Sequence, residues 1–168
     1  MRELGKASVK KLKKFNGIGE AKAITIVAAL ELGKRRQQTS IADKPKVSSS
    51  KDAYNCLQGT MSDLDHEVFK IILLNRANRV LKVEMISVGG VSGTVVDPKV
   101  IFKKALGVQA SSIILAHNHP SGNLKPSQAD LSVTKRLVKA GESLDIKVID
   151  HLIVAEGGYY SFADEGKI

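Results

Sequence analysis

The tightest constraint on this chain is the run from Ser112 to Asp130, Ser-Ile-Ile-Leu-Ala-His-Asn-His-Pro-Ser-Gly-Asn-Leu-Lys-Pro-Ser-Gln-Ala-Asp. Ser112 to Leu115 reads as the start of a buried strand, and in an extended chain residues two apart point to the same side. His117 and His119 therefore face one way. Pro120 lacks the N–H that a central ladder needs, and Ser121-Gly122-Asn123 is turn chemistry, so the chain leaves the sheet after the second histidine. From Pro126-Ser127 onward Leu131, Thr134 and Val138 recur at helical spacing, which puts Asp130 in the first turn of a helix. The loop then folds a carboxylate back toward two imidazoles.

Two neutral imidazoles and one carboxylate are three protein ligands, the set of a catalytic zinc whose fourth position stays open for water. A structural zinc more often has four ligands with thiolates among them, and the one cysteine, Cys56, is distant in sequence. Nitrogen ligands favour zinc over harder cations, although iron or manganese could fill the same set. A plainer reading exists for each part. His-x-His can be two solvated loop residues, and Ser127 with Asp130 fits a capping box that only satisfies orphan helix N–H groups. The full string, with four polar types at fixed offsets across a strand end and a helix start, favours the metal.

The spacing His-x-His, seven residues beginning with Pro120, Ser, two residues, Asp resembles the metal motif of the JAMM (MPN-plus) metalloproteases and isopeptidases. The longer string His-Asn-His-Pro-Ser-Gly and its flanks resemble the bacterial RadC branch, from about Leu12 to Phe162. The resemblance implies that His117, His119 and Asp130 bind Zn2+, that Ser127 helps to stabilise an oxyanion, and that an upstream glutamate holds the attacking water as general base. It also implies an α/β fold of the JAB/MPN, cytidine-deaminase-like kind, a mixed β-sheet with flanking helices. RadC relatives carry a further helical stretch upstream of the point where this chain starts, so the N-terminal region is expected to be truncated or to begin internally.

Two glutamates, Glu67 and Glu84, lie between the polar stretch ending at Ser50 and the histidines. Glu84 sits in Val80 to Val88, where Lys82 and Glu84 share one face and Leu81, Val83 and Met85 the other, which reads as an ordinary solvated strand position. Glu67 opens the nearly continuous apolar run Val68 to Leu74. A carboxylate at the mouth of the core is costly unless something compensates it, and a water activated at a metal would do so. Glu67 is the expected base, with Glu84 in reserve.

Charge divides the chain. Of the net +9, residues 1–50 hold 12 Lys plus Arg against 4 Asp plus Glu, and residues 51–168 hold 14 against 13. The basic third is what an arm that meets a polyanion requires, whereas the remainder is close to neutral. Gln37 to Ser50 is polar and aperiodic, giving an expected organisation of 1–36, a linker at 37–50, and a metal domain at 51–168. In the first segment Val9 to Phe15 is a short basic helix candidate. Asn16-Gly17-Ile18-Gly19 is a turn, and Ala23, Ile26, Val27 and Leu30 mark a second helix. The segment Phe15 to Ala23 resembles a helix-hairpin-helix, which grips nucleic-acid backbone without reading bases. Gly17 and Gly19 allow close approach, while Lys22, Arg35 and Arg36 add salt-dependent attraction to DNA. The plainer reading is a glycine turn between packed helices with a solvated lysine face.

Further on, a helix is expected near Asp52 to Met61, strands from Val68 and over Val80 to Val88, and a third strand ending near Val96. Asp97-Pro98 then starts a helix, and strands follow at Ile146 to Ala155 and Tyr159 to Phe162. Asp150 and His151 read as hydrogen-bonded sheet residues more readily than as support for a ligand. No run is apolar enough to span a membrane, there is no signal peptide, and a single cysteine forms no internal disulfide, so a cytoplasmic setting is expected. The activity these residues suggest is zinc-dependent cleavage of a peptide or isopeptide bond. A DNA-repair-associated accessory protein and a zinc nuclease remain open beside it.

Overall fold

The structure, a computed structural model, describes residues 8–38, 44–89 and 96–168. The chain falls into two compact units that divide between Lys44 and Pro45. In the first, α1 (Val9–Leu12) is capped by Ser8, and α2 runs over Glu20–Gln38. The turn between them passes through Gly17 at φ +81°, a left-handed conformation that glycine adopts without penalty. Leu12 and Ala23 are buried and Ile26, Val27 and Leu30 half-buried, so the apolar positions at helical spacing do form the packed side. The basic helix is shorter than its expected end at Phe15, because Lys13 to Phe15 already belong to the turn. The side chains of Arg35 and Arg36 lie outside the described residues.

The second unit carries α3 (Ser50–Leu57), a 3-10 turn (Gln58–Thr60), β1 (Val68–Leu74), β2 (Val80–Val88), α4 (Pro98–Gly107), β3 (Ser112–Asn118), α5 (Gln128–Glu142), β4 (Lys147–Ala155) and β5 (Gly158–Ser161). The five strands form one sheet in the order β2-β1-β3-β4-β5, with β3 and β4 parallel and the other pairs antiparallel. This is the mixed sheet with flanking helices that the sequence predicts. The end of the expected linker belongs to this unit: Val47 is buried, its N–H bonds to the Asn78 carbonyl, and the Val80 N–H bonds to the Pro45 carbonyl. The expected third strand before Val96 falls mostly on residues outside those described.

Alternation along the strands builds two cores. Phe69, Ile71, Leu73, Ile113 and Leu115 face α4 and α5, where Ile101, Phe102 and Leu137 meet them. Val68, Ile72, Leu74, Ile114, Leu152 and Val154 face α3, packing on Ala53, Tyr54 and Leu57. With both faces covered, β1 and β3 are buried along their whole length, which is why they read as continuous apolar runs. Strand β2 departs from its expected facing: Val83 and Met85 are 38% and 48% exposed, whereas Leu81 and Ile86 pack against the core under α4. The cause is a pair of register shifts against β1, at Phe69/Lys70 and Leu73/Leu74, each of which breaks the two-residue alternation.

Gly141, near the end of α5, lies against the turn that leads into β4, where the Ile146 N–H bonds to its carbonyl. A Cβ built there would lie 2.3 Å from the Ile146 carbonyl oxygen, a backbone atom, and 3.3 Å from the Phe102 ring. Helix propensity alone would favour Gly141→Ala by about 1 kcal/mol. The contact predicts the opposite sign, a loss of about 1–3 kcal/mol, readable as a lower midpoint in chemical denaturation.

Candidate metal centre

Strand β3 ends at Asn118, and the residues that matter sit at its C-terminal end. His117 is a buried member of the strand, on the face of Phe69 and α5; His119 is the first residue past it, tied to the sheet by its N–H bond to the Val154 carbonyl at 2.9 Å. The chain then turns at Gly122, with φ +78°, and returns to start α5 at its cap, Ser127. The turn delivers Asp130 to the two histidines. Asp130 Oδ1 lies 3.2 Å from His117 Nε2, Asp130 Oδ2 lies 3.8 Å from His119 Nε2, and the two Nε2 atoms are 3.1 Å apart. Among the described residues these three form the group able to hold a metal, with one ligand atom from each inside 4.8 Å of the others.

Ser127 and Asp130 do form the capping box, and it serves the site. The Ser127 N–H and O–H both donate to Asp130 Oδ2 at 2.7 Å, and the Asp130 N–H donates back to Ser127 Oγ at 3.2 Å. One carboxylate oxygen is thereby held by the helix start while the other faces His117. Burial would raise the Asp130 pKa, but a proton donated from His117 Nε2 and the two Ser127 donors outweigh it and hold the carboxyl well below its ordinary range. The Ser127 hydroxyl proton is thus engaged with Asp130 and would have to turn to reach an oxyanion.

The histidine rings are held from behind. His119 Nδ1 is 2.5 Å from the Asn123 carbonyl, which can only accept, so the proton of a neutral His119 is on Nδ1 and its Nε2 offers a bare lone pair. His117 Nδ1 is 2.8 Å from Nε2 of His151, and His151 Nδ1 is 2.6 Å from the Thr134 hydroxyl. His151 is fully buried and stacked on Phe162 at 4.7 Å, and desolvation takes its pKa well below the ordinary value, so the ring is neutral. A lone pair of His119, the nitrogen of His117 and a carboxylate converge on one small space. That arrangement needs a proton or a metal cation between its atoms, and the donor set suits zinc.

Glu67 stands one residue before β1, half-buried. Since Phe69 pairs with His117, strand alternation gives Glu67 the same face, and the register carried two residues on brings it level with His119. Glu84 is engaged elsewhere: its carboxylate pairs with Lys104 at 2.7 Å and with Lys82, and these partners lower its pKa. Two contributors lie beyond the expected site residues. One is His151, read from sequence as a hydrogen-bonded sheet residue and found here bonded to His117. The other is Asn118, whose Oδ1 accepts the Val68 N–H at 2.7 Å and whose Nδ2 donates to the His66 carbonyl at 2.9 Å. Asn118 grips the backbone on both sides of Glu67. The only sequence signal for it was its place between the histidines, where alternation turns it to the opposite face.

The profile of the RadC-like JAB domain matches residues 47–167. The chain belongs to the RadC-like JAB family. Its relatives include a UPF0758 protein of Flavobacterium johnsoniae, 51% identical over 166 residues that cover 99% of this chain and 72% of the relative. A UPF0758 protein of Rubrobacter xylanophilus is 44% identical over 96% of this chain and 71% of its own length, and one of Methanosarcina mazei 40% identical over 99% and 72%. The RadC-like match begins at Val47 and so leaves the first helical unit outside it. No helix among the described residues is long and apolar enough to cross a membrane.

Removing the Asn118 amide isolates its role. Asn118→Ala leaves the Val68 N–H buried without a partner, an expected loss of about 1–3 kcal/mol. Hydrogen exchange at the Val68 amide should quicken beyond what the global loss explains, while an unchanged rate would show that the grip is redundant.

Proposed function

We propose that this RadC-like domain is a zinc-dependent hydrolase of amide bonds, peptide or isopeptide. The observation that carries the reading is the convergence of His117, His119 and Asp130 at the C-terminal end of β3, all within ligand reach of one point. When bound, zinc would supply Lewis acidity, lowering the pKa of a water in its open position and polarising the scissile carbonyl. His117 and His119 would hold it through Nε2 and Asp130 through Oδ1. Glu67, on the same face, takes the proton of the attacking water and returns it to the leaving amine. Ser127 keeps Asp130 aimed and, by turning its hydroxyl, can donate to the oxyanion.

Purified full-length chain should carry about one zinc, the occupancy of a single three-ligand site. His119→Ala and Asp130→Ala should lose it. Glu67→Gln should keep the metal and lose about 100-fold or more in turnover, the range of general base catalysis. A wild-type zinc content near zero, persisting after supplementation, rejects the reading. Incubation with peptide amides and with plasmid DNA, each with and without chelator, separates the amidase from a zinc nuclease, which would use the same donors.

A second reading, association with DNA, draws on a different part of the chain. Lys13, Lys14, Phe15, Asn16, Gly17, Ile18 and Gly19 surround a polar hollow between α1 and α2. Lys22 Nζ donates to the Gly17 carbonyl at 3.2 Å, bracing the glycine turn. Backbone N–H groups at a helix start and a lysine cluster suit a phosphate diester. Binding of duplex DNA should weaken steeply as salt rises and should vanish on deleting residues 1–36; retention after the deletion would move the interface to the JAB domain.

A further inference from the structure

We propose that Thr134 and His151 decide which nitrogen of His117 is offered to the metal, through a one-way hydrogen-bond chain that begins at the main-chain carbonyl of Asp130. The inference rests on the metal centre proposed above and concerns residues the motif does not include. Each step follows from how many protons the groups possess. The Asp130 carbonyl can only accept, and Thr134 Oγ1 lies 2.6 Å from it, so the single hydroxyl proton of Thr134 goes there. This is the usual back-bond of a helical threonine to the residue four before it. The same oxygen is 2.6 Å from His151 Nδ1 and, its proton committed, can only accept; His151 must carry its proton on Nδ1.

His151 is fully buried, and the ring nitrogens bond to Thr134 and His117 rather than to a carboxylate, so nothing stabilises a second proton there. Its Nε2 is a bare acceptor 2.8 Å from His117 Nδ1. His117 must therefore be the donor, with a proton on Nδ1, which leaves Nε2, 3.2 Å from Asp130 Oδ1, as the nitrogen offered to a metal. The circuit closes on one residue: Asp130 sets the chain with its carbonyl and shares the metal with its carboxylate. Phe69 lies parallel to the His117 ring, with centroids 6.2 Å apart, and Phe162 stacks on His151, leaving the rings little freedom to flip. Thr134 and His151 are positioning residues, acting on the metal only through His117.

The mere packing of two buried polar groups would not fix a proton's direction, and that is what separates the alternatives. In full-length chain labelled with 15N-histidine, long-range proton–nitrogen spectra should show His151 protonated at Nδ1 and bare at Nε2, both metal-free and zinc-loaded. On loading, His117 should show a protonated Nδ1 and a ligated Nε2. Thr134→Val, close to isosteric, should weaken zinc binding in a chelator competition by about 10–100-fold, the usual cost of losing a group that orients a ligand. Thr134→Ser, which keeps the hydroxyl, should restore wild-type affinity. A proton on His151 Nε2 in the wild-type protein overturns the proposal, and so does equal zinc affinity in Thr134→Val and wild type. Should Thr134→Val fail to fold, the wild-type spectrum decides alone. If the wild-type chain takes no zinc, the hydrolase reading falls, while the His151 tautomer in metal-free protein still tests the chain.

Discussion

The parallel pairing of β3 with β4 is the constraint on which the site depends. Two parallel neighbours cannot be joined by a tight turn; the chain must cross over the sheet, and the crossover here is α5. Such crossovers are almost always right-handed, which commits the helix to one face and starts it above the C-terminal end of the first strand. The motif histidines are at that end, and Asp130 is in the first turn of the crossover helix. Open sheets place their ligand sites outside the carboxyl ends of strands for the same reason. Antiparallel β1, on the other side of β3, brings its beginning to the same edge, because Phe69 pairs with His117. Glu67, one residue before β1, is thereby at the same edge of the sheet, reached from the opposite chain direction.

At that edge, the atoms that cap the helix are also atoms of the candidate site. The Asp130 carboxylate is divided: Oδ2 closes the capping box with Ser127 and Oδ1 faces His117. The helix cap contributes on the order of 1 kcal/mol in most proteins, and here it also fixes the orientation of the carboxylate that faces the two histidines. Asn118 works the same way on the opposite side of the sheet, where a buried amide satisfies two backbone groups and in doing so fixes the strand entry that carries Glu67.

Periodicity made most of this legible. The full burial of β1 and β3, the cap at Asp97-Pro98, the helix starting at Ser127 and the shared facing of His117 and His119 all follow from local rules that the packing leaves intact. What local rules could not reach were the register shifts. Strand β2 slips twice against β1, so Val83 and Met85, apolar by pattern, are exposed, and Glu84 turns to Lys104 instead of open water. Which ladder slips is decided by the fit between both strands and what packs on them, and a single strand carries no mark of it.

His151 is the sharpest case. Val148 faces the core under α4 and α5, and strict alternation from it would send His151 to the other side, among the residues that pack on α3. The structure shows a shift in the β3–β4 ladder: Ile113 pairs with Val148 but Ile114 with Asp150, so the chain spends one extra residue and Leu115 pairs with His151. That single added residue brings the imidazole to the His117 side and sends Asp150 the opposite way, where Ser161 Oγ and the Ala163 N–H satisfy its carboxylate. Bulges gather where a side chain must be re-aimed next to a site. Without the extra residue the ladder would set Asp150 opposite Leu115, and a carboxylate rather than an imidazole would meet the back of His117.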